Sequence, residues 1–244
     1  MERYGLIGYP LDHSFSPRYF FEKFKQEGID NCTYNTFPLP SIEEFLRLLQ
    51  DYPDLRGLNV TVPYKEAVLP YLTELDDVAR TIGAVNTIKI DGGHFKGFNT
   101  DVTGFDQSIS PRLLPQHRQA LILGTGGSSK AICYCLEQKG LNIAFVSRSK
   151  EKGAYTYDDL TEEVINAHQL IINTTPVGMY PVVDKCPPIP YEYVSSLHLL
   201  VDLVYNPPET VFTRMGQQFG AMAMNGYEML QLQAEASWRI WQES

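Results

Sequence analysis

One junction constrains this chain more than any other feature. Gln119-Ala120-Leu121-Ile122-Leu123 is an apolar run of the kind that forms strands buried on both faces of a parallel sheet. It leads directly into Gly124-Thr125-Gly126-Gly127-Ser128-Ser129, and a helical pattern then runs to about Lys139, where Gly140 ends it. Strand, glycine turn and helix in that order open a βαβ unit. Gly124 permits the tight turn, and Gly126 lets the backbone approach a pyrophosphate. The helix start offers N–H groups and a favourable dipole to that anion. Ser129 stands where a third glycine is usual, and is small enough for close packing. A ligand-free glycine turn would carry the same residues, so the reading rests on the flanking strand and helix.

The next strand, residues 142–147, bears on the choice of cofactor. An NAD site would end it with Asp or Glu, to bond the ribose 2′-hydroxyl. Here it ends Ser147-Arg148-Ser149-Lys150, with Lys152 close by. Arg148 can stack on an adenine and clamp a 2′-phosphate, which favours NADP. The competing reading of the same residues is a solvated basic turn. Further apolar strands are expected at 170–173 and 199–204, giving a parallel, doubly wound sheet. A last helix over 227–242 carries Met229, Leu230, Leu232, Ala236, Ile240 and both tryptophans, and is expected to pack back on the N-terminal part.

That N-terminal part also alternates strand and helix. Strands are expected at 3–9, 32–37 and 58–62. A helix should start at Pro17 with Ser16 as N-cap, run to about Gln26 and stop at Gly28. Ser41 and Glu44 have the spacing of a capping box. A helix is expected over about 64–80, then a hairpin of 84–90 with 95–98 around Asp91-Gly92-Gly93. The domains are expected at 1–100 plus 225–244, and at 101–224.

Composition narrows the partners. Lys plus Arg is 20 against 29 Asp plus Glu, a net charge of −9, which gives no general attraction to nucleic acid or an anionic membrane. An anion must therefore be held by a local patch. No apolar run reaches the ~18 residues of a span, and no signal peptide is read at the start. The four cysteines, Cys32, Cys133, Cys135 and Cys186, show no metal-ligand spacing, so no metal is expected. They read as reduced thiols of a cytoplasmic protein.

Polar residues gather ahead of the glycine turn. His13-Ser14-Phe15-Ser16-Pro17 offers two hydroxyls. Asn59-Val60-Thr61 would put two polar groups on one strand face, with Lys65 just beyond. Asn86 sits in an apolar segment, and Asn99-Thr100-Asp101 puts a carboxylate near the domain junction. Singly these are a helix cap, a turn amide and a surface lysine; together they suggest a polar binding site.

In order along the chain, Ser14-x-Ser16-Pro17, Asn59-Val60-Thr61-Val62-Pro63-x-Lys65, Gly83-Ala84-Val85-Asn86-Thr87, Asn99-Thr100-Asp101-x-x-Gly104, the Gly124 turn, Asn173-x-Thr175-Pro176-x-Gly178-Met179, Asp202-x-x-Tyr205-Asn206-Pro207 and Gly226-x-x-Met229-Leu230-x-x-Gln233-Ala234 resemble the shikimate dehydrogenase family. The resemblance implies an α/β chain of two domains. These are an N-terminal α/β substrate domain and a Rossmann-like, doubly wound NADP-binding domain, with an active-site cleft between. It implies NADP-dependent, reversible reduction of 3-dehydroshikimate to shikimate, in aromatic amino-acid biosynthesis. Ser14 and Ser16 would take the substrate carboxylate, with Tyr205 nearby. Thr61, Asn86, Asp101 and Gln233 would hold the ring hydroxyls. Lys65 and Asp101 would be the catalytic pair. Gly124, Gly126, Gly127, Ser128, Ser129, Ser147, Arg148, Ser149, Thr174 and Gly226 would meet the cofactor. The implied assembly is a monomer or homodimer. The alternative is a quinate/shikimate-type polyol dehydrogenase using NAD or NADP.

Two departures from the family pattern stand out. Residues 151–157 are too few for the helix the family usually has after Arg148, which would leave the adenosine side more open. Tyr19-Phe20 stands where the family often has His-Asn, a change that bears on local packing.

Overall fold

A computed structural model describes residues 1–12 and 14–243. His13, part of the polar loop singled out above, and Ser244 lie outside the described residues. The chain divides into two compact units, residues 1–103 with 233–244, and residues 104–232.

The first unit is built on β1 (Glu2–Gly8), β2 (Cys32–Pro38), β3 (Leu55–Val60), β4 (Glu74–Leu75), β5 (Thr87–Asp91) and β6 (His94–Phe98), in the spatial order β2-β1-β3-β5-β6-β4. β1 runs parallel to β2 and β3, while β5 is antiparallel to both β3 and β6. The helices are α1 (Ser16–Glu27), α2 (Phe45–Asp51), α3 (Tyr64–Ala67) and α4 (Asp77–Ile82). Ile7, Leu58, Val60, Ile88, Phe45, Val68 and Val85 form the core on one side of this sheet. The β5–β6 hairpin turns at Gly92 and Gly93, whose φ values of 54° and 87° suit a two-residue turn.

Several boundaries differ from expectation. Ser16 is inside the first turn of α1; Phe15 is the N-cap, and no side chain caps there. The Ser16 hydroxyl turns instead to the Tyr34 side chain. Gly28, at φ 66°, ends the helix as expected. Ser41 accepts from the Glu43 N–H at 3.3 Å and heads a single 3₁₀ turn, Ile42–Glu44, so the Ser41–Glu44 capping box does not form. β3 ends at Val60, because the Tyr64 N–H turns back to the Thr61 carbonyl at 2.9 Å; Asn59 and Thr61 are not two residues of one strand. The helix expected over 64–80 breaks into α3, a 3₁₀ turn at Leu69–Tyr71, β4 and α4. Pro70 cannot donate to a helix, and Asp76 restarts one by accepting from the Ala79 and Val78 N–H groups at 2.9 and 3.3 Å.

Further along lie α5 (Thr100–Ile109), β7 (Gln119–Leu123), α6 (Gly127–Gln138), β8 (Asn142–Val146), α7 (Glu162–Ala167), β9 (Leu170–Asn173), β10 (Leu199–Asp202), α8 (Val211–Gln218), β11 (Met222–Met224) and α9 (Tyr227–Gln242). The second unit's sheet is parallel throughout, in the order β11-β10-β9-β7-β8. Its core is Leu121, Leu123, Ile171, Leu200, Phe212 and their neighbours. The sequence reading did not assign α5, α7, α8 or β11; α8 is an eight-residue helix that leads into β11, the three-residue strand at the sheet edge.

After β8 the chain doubles back at once. The Tyr155 N–H donates to the Phe145 carbonyl at 3.1 Å, and the Ser147 N–H to the Tyr155 carbonyl at 3.0 Å. This short segment, too short for the helix that the family pattern has here, pairs instead along the outer edge of β8. The C-terminal part of α9 belongs to the first unit. Trp241 stacks on Tyr4 at 4.9 Å and donates its indole N–H to the Ile88 carbonyl at 3.0 Å.

Candidate active site

In the first unit, the strand ends deliver polar groups to one place. α3 starts just past β3 and carries Lys65; α5 starts just past β6 and carries Asp101. The Lys65 Nζ lies 2.6 Å from Asp101 Oδ2. Both side chains are largely buried, at 14% and 8% exposure, so solvent screens this ion pair little. The other carboxylate oxygen, Asp101 Oδ1, accepts from Asn86 Nδ2 at 2.8 Å. That amide nitrogen also lies 3.4 Å from Gln233 Oε1, on α9. The amide oxygen of Asn86 accepts from the Thr100 N–H at 2.7 Å and from the Thr100 hydroxyl at 3.1 Å. Lys65, Asp101, Asn86 and Gln233 are thus brought together from four elements far apart in sequence.

The remaining expected substrate residues are placed as follows. Ser14, half-buried, and buried Ser16 lie at the start of α1. Thr61 follows β3, and its methyl leaves no room for a side chain at Gly8. Tyr205 belongs to the second unit and follows β10. Behind Asn86 lies a layer of which sequence reasoning named Asn59, Thr87 and Thr100 only as parts of motifs and missed Ser237. Asn59, Thr87, Thr100 and Ser237 are all buried and bonded to one another. The available signal was Ser237, four residues after Gln233 and so on the same helix face.

In the second unit, Gly124 has φ 107°, and a side chain there would press on the Thr174 hydroxyl at 2.8 Å. Thr174 donates that hydroxyl to the Leu123 carbonyl at 2.7 Å, locking the turn against the neighbouring β9 loop. Gly126 is the N-cap of α6; no side chain caps it, and a Cβ built there would meet nothing within 4 Å. An uncapped helix start with open space before it suits a pyrophosphate. Ser129, 1% exposed, donates to the Gly126 carbonyl and holds Gly127 and Ser128 in the turn. Gly226, with no room for a side chain against the Leu203 carbonyl, donates its N–H to the Val204 carbonyl at 3.1 Å.

Past β8, the Ser149 N–H donates to the Ser147 hydroxyl at 3.4 Å, and Arg148 is exposed. Lys150 pairs with Asp159 at 3.2 Å. Donation from the Thr156 N–H and hydroxyl, then from Lys150, holds that carboxyl down at about 2. The strand end thus presents hydroxyls and a guanidinium with no carboxylate of its own, which fits a phosphorylated ribose better than a bare diol.

Buried Asp202 ties two loops of this unit together. It accepts from the Thr210 hydroxyl at 2.6 Å, from Asn173 Nδ2 at 2.9 Å and from the Val204 N–H at 3.0 Å. Burial pushes its carboxyl up to about 6, against the lowering effect of those three donors. Burial also pushes the Cys133 and Cys135 thiols up, to about 11 and 12, so neither offers a thiolate at neutral pH. Among the described residues no His, Cys, Asp and Glu group has the makings of a metal site, and no helix is long and apolar enough to cross a membrane.

Residues 6–88 match the family model described as the shikimate dehydrogenase substrate binding domain. The shikimate dehydrogenase (NADP(+)) of Halothermothrix orenii is 39% identical over 262 aligned residues, covering 97% of this chain and 89% of that protein. A crystal structure of a shikimate dehydrogenase in complex with NADP+ superposes with a TM-score of 0.89 at 32% identity, over 99% of this chain and 90% of that one. The Thermus thermophilus shikimate 5-dehydrogenase in complex with NADP(H) and shikimate gives a TM-score of 0.88 at 30% identity, over 99% and 94%.

Proposed function

Because this chain belongs to the shikimate dehydrogenase family, we propose that Lys65 and Asp101 carry the proton in the NADP-dependent, reversible reduction of 3-dehydroshikimate to shikimate, a step of aromatic amino-acid biosynthesis. The observation that carries the assignment is the buried 2.6 Å pair of Lys65 with Asp101, whose second oxygen is held by Asn86. NADPH, when bound, supplies the hydride that adds to the ketone carbon. The carbonyl oxygen then gains negative charge. The Lys65 ammonium stabilises that charge and gives the oxygen a proton, so ketone, hydride and proton make the alcohol. Asp101 aims the ammonium and takes part in returning the proton. In the oxidative direction the same pair accepts the proton from the hydroxyl.

The remaining roles are those that the family resemblance implies, and the chemistry of each group suits them. Ser14 and Ser16 donate hydroxyls to the substrate carboxylate, and Tyr205 is the third group that the family pattern assigns to it. Thr61, Asn86, Asp101 and Gln233 match ring hydroxyls, which donate and accept at once. A wrong polyol leaves one of these buried groups unpaired, and that costs binding. Gly124, Gly126, Gly127, Ser128 and Ser129 hold the pyrophosphate. Ser147, Arg148 and Ser149 take the 2′-phosphate, and Thr174 and Gly226 line the remaining cofactor contact. The four free cysteines support a reducing, cytoplasmic setting, and the assembly we infer is a monomer or homodimer.

The test follows NADPH absorbance with 3-dehydroshikimate, beside NADH, and the reverse reaction with shikimate and with quinate. We expect turnover with NADPH and shikimate. Lys65→Met should lower kcat by about 10²- to 10⁴-fold with far less change in KM. A Lys65→Met enzyme with near-native kcat removes Lys65 from the chemistry. Faster turnover of quinate with NAD would replace the substrate reading by that of a quinate-type polyol dehydrogenase.

A further inference from the structure

Behind the proposed site lies a closed set of side-chain hydrogen bonds centred on Ser237, which has no exposure to solvent. Its Oγ lies 3.0 Å from the Gln233 carbonyl, 2.7 Å from Thr87 Oγ1, 3.0 Å from Asn59 Nδ2 and 3.1 Å from Thr100 Oγ1. Counting protons orders this cluster. A backbone carbonyl can only accept, so the Ser237 proton goes to Gln233 O. An amide nitrogen can only donate, so Asn59 Nδ2 fills one of the two acceptor positions on Ser237. The nearest hydroxyl, Thr87, fills the other. The nearest acceptor remaining to the Thr100 hydroxyl is then Asn86 Oδ1, at 3.1 Å, ahead of Thr87 Oγ1 at 3.2 Å and Gln233 Oε1 at 3.5 Å. That oxygen is now held by both Thr100 donors, so the amide has one orientation: its nitrogen faces Asp101 Oδ1 and Gln233 Oε1.

We propose that Ser237 is a positioning residue, which clamps α9 to β3 and β5 and so sets Gln233 and Asn86 against Asp101. Ser237 touches no substrate in this reading, which rests on the function proposed above. It acts through its own helix: its back-bond to the Gln233 carbonyl and its bonds to Asn59 and Thr87 fix the height of that helical turn over the sheet. The Asn59 end of the cluster is closed as well. Asn59 Oδ1 accepts from the Tyr34 hydroxyl at 2.8 Å, and Tyr34 in turn meets Ser16. The cluster is therefore satisfied from end to end, and buried polar networks of that kind hold a single arrangement.

The experiment is a double-mutant cycle of Ser237→Ala with Gln233→Ala, read as kcat/KM for shikimate and KM for NADP+. Ser237→Ala should lower kcat/KM for shikimate by about tenfold, the factor that one lost hydrogen bond of ~1.4 kcal/mol produces, and leave KM for NADP+ unchanged. In the Gln233→Ala background the same change should have little further effect, because Ser237 acts through that turn. Ser237→Thr, which keeps the hydroxyl, should recover most of the loss. Thr87→Val removes the same bond from the sheet side and serves if Ser237→Ala does not fold. Additive losses in the cycle, or a lower melting temperature with unchanged kcat/KM, would overturn the proposal. If Gln233→Ala itself leaves kcat/KM unchanged, the substrate-binding reading is what fails.

Discussion

Asp202 shows how one buried side chain makes a measurable difference. Its carboxyl is pushed up to about 6 in the folded protein, whereas an aspartate in an unfolded chain titrates near ~3.9. Folding therefore tightens its hold on the proton. The stability this gives is fully present below the unfolded value and is lost as pH rises through about 6. Compared with Asp202→Asn, the native enzyme should gain stability between pH 7 and pH 4, by about 2 kcal/mol. Urea unfolding of both proteins across that range is the check. Parallel stability curves would show that this carboxyl does not titrate in the window. The substitution itself is sterically neutral: an asparagine keeps one oxygen for Asn173 and Val204, and can donate to Thr210.

At the scale of elements, α9 matters most. It carries Gln233 and Ser237 on the face turned to the sheet, and Ala234, Trp238 and Trp241 in an aromatic cluster with Tyr4, Phe20 and Phe24. Phe20 stacks on Tyr34 at 4.4 Å, so the Tyr19-Phe20 departure from the family pattern is absorbed as aromatic packing. Gly57 on β3 is what lets the helix come so close, because any side chain there would overlap the Trp241 indole. Gly57→Ala should therefore lift the end of α9, cost about 1–3 kcal/mol in stability and raise KM for shikimate. A calorimetric scan and steady-state kinetics on the one variant test both effects. Unchanged values in both would mean that the helix end has slack to move. The short return after β8 is the other informative element. It keeps Ser147, Arg148 and Ser149 at a strand end while pairing with the edge of β8, so the missing helix is replaced by backbone hydrogen bonds along an edge that would otherwise stay unpaired.

Across the whole molecule, the first unit needs both ends of the chain, since residues 233–244 complete what residues 1–103 begin. Losing the two tryptophans alone is comparable with the total stability of a domain, at about 3–5 kcal/mol each. A chain ending at Leu232 should lose amide-exchange protection in β1, β3 and β5 and keep it in β7, β9 and β10. Retained protection in β1 and β3 would show that the first unit folds without its returning helix. Part of this was legible in the sequence. The strand–glycine–helix junction at Gly124, the β9 strand and the bounds of α9 rest on local pattern, because apolar runs, glycine turns and helical periodicity act over a few residues. Lys65, Asp101, Asn86 and Gln233 could be named from spaced motifs, but their contacts could not, since they come from residues up to 147 positions apart. Local rules also misplaced the capping at Ser16 and the helix at 64–80. There a tertiary partner, Tyr34, or a proline outweighed propensity. Ser237 was the least legible of all: its only signal is the four-residue spacing from Gln233, which puts it on the same helix face without saying what it meets. Only the packing of α9 on β3 and β5 brings four polar side chains around its hydroxyl, where burial makes each of their hydrogen bonds obligatory.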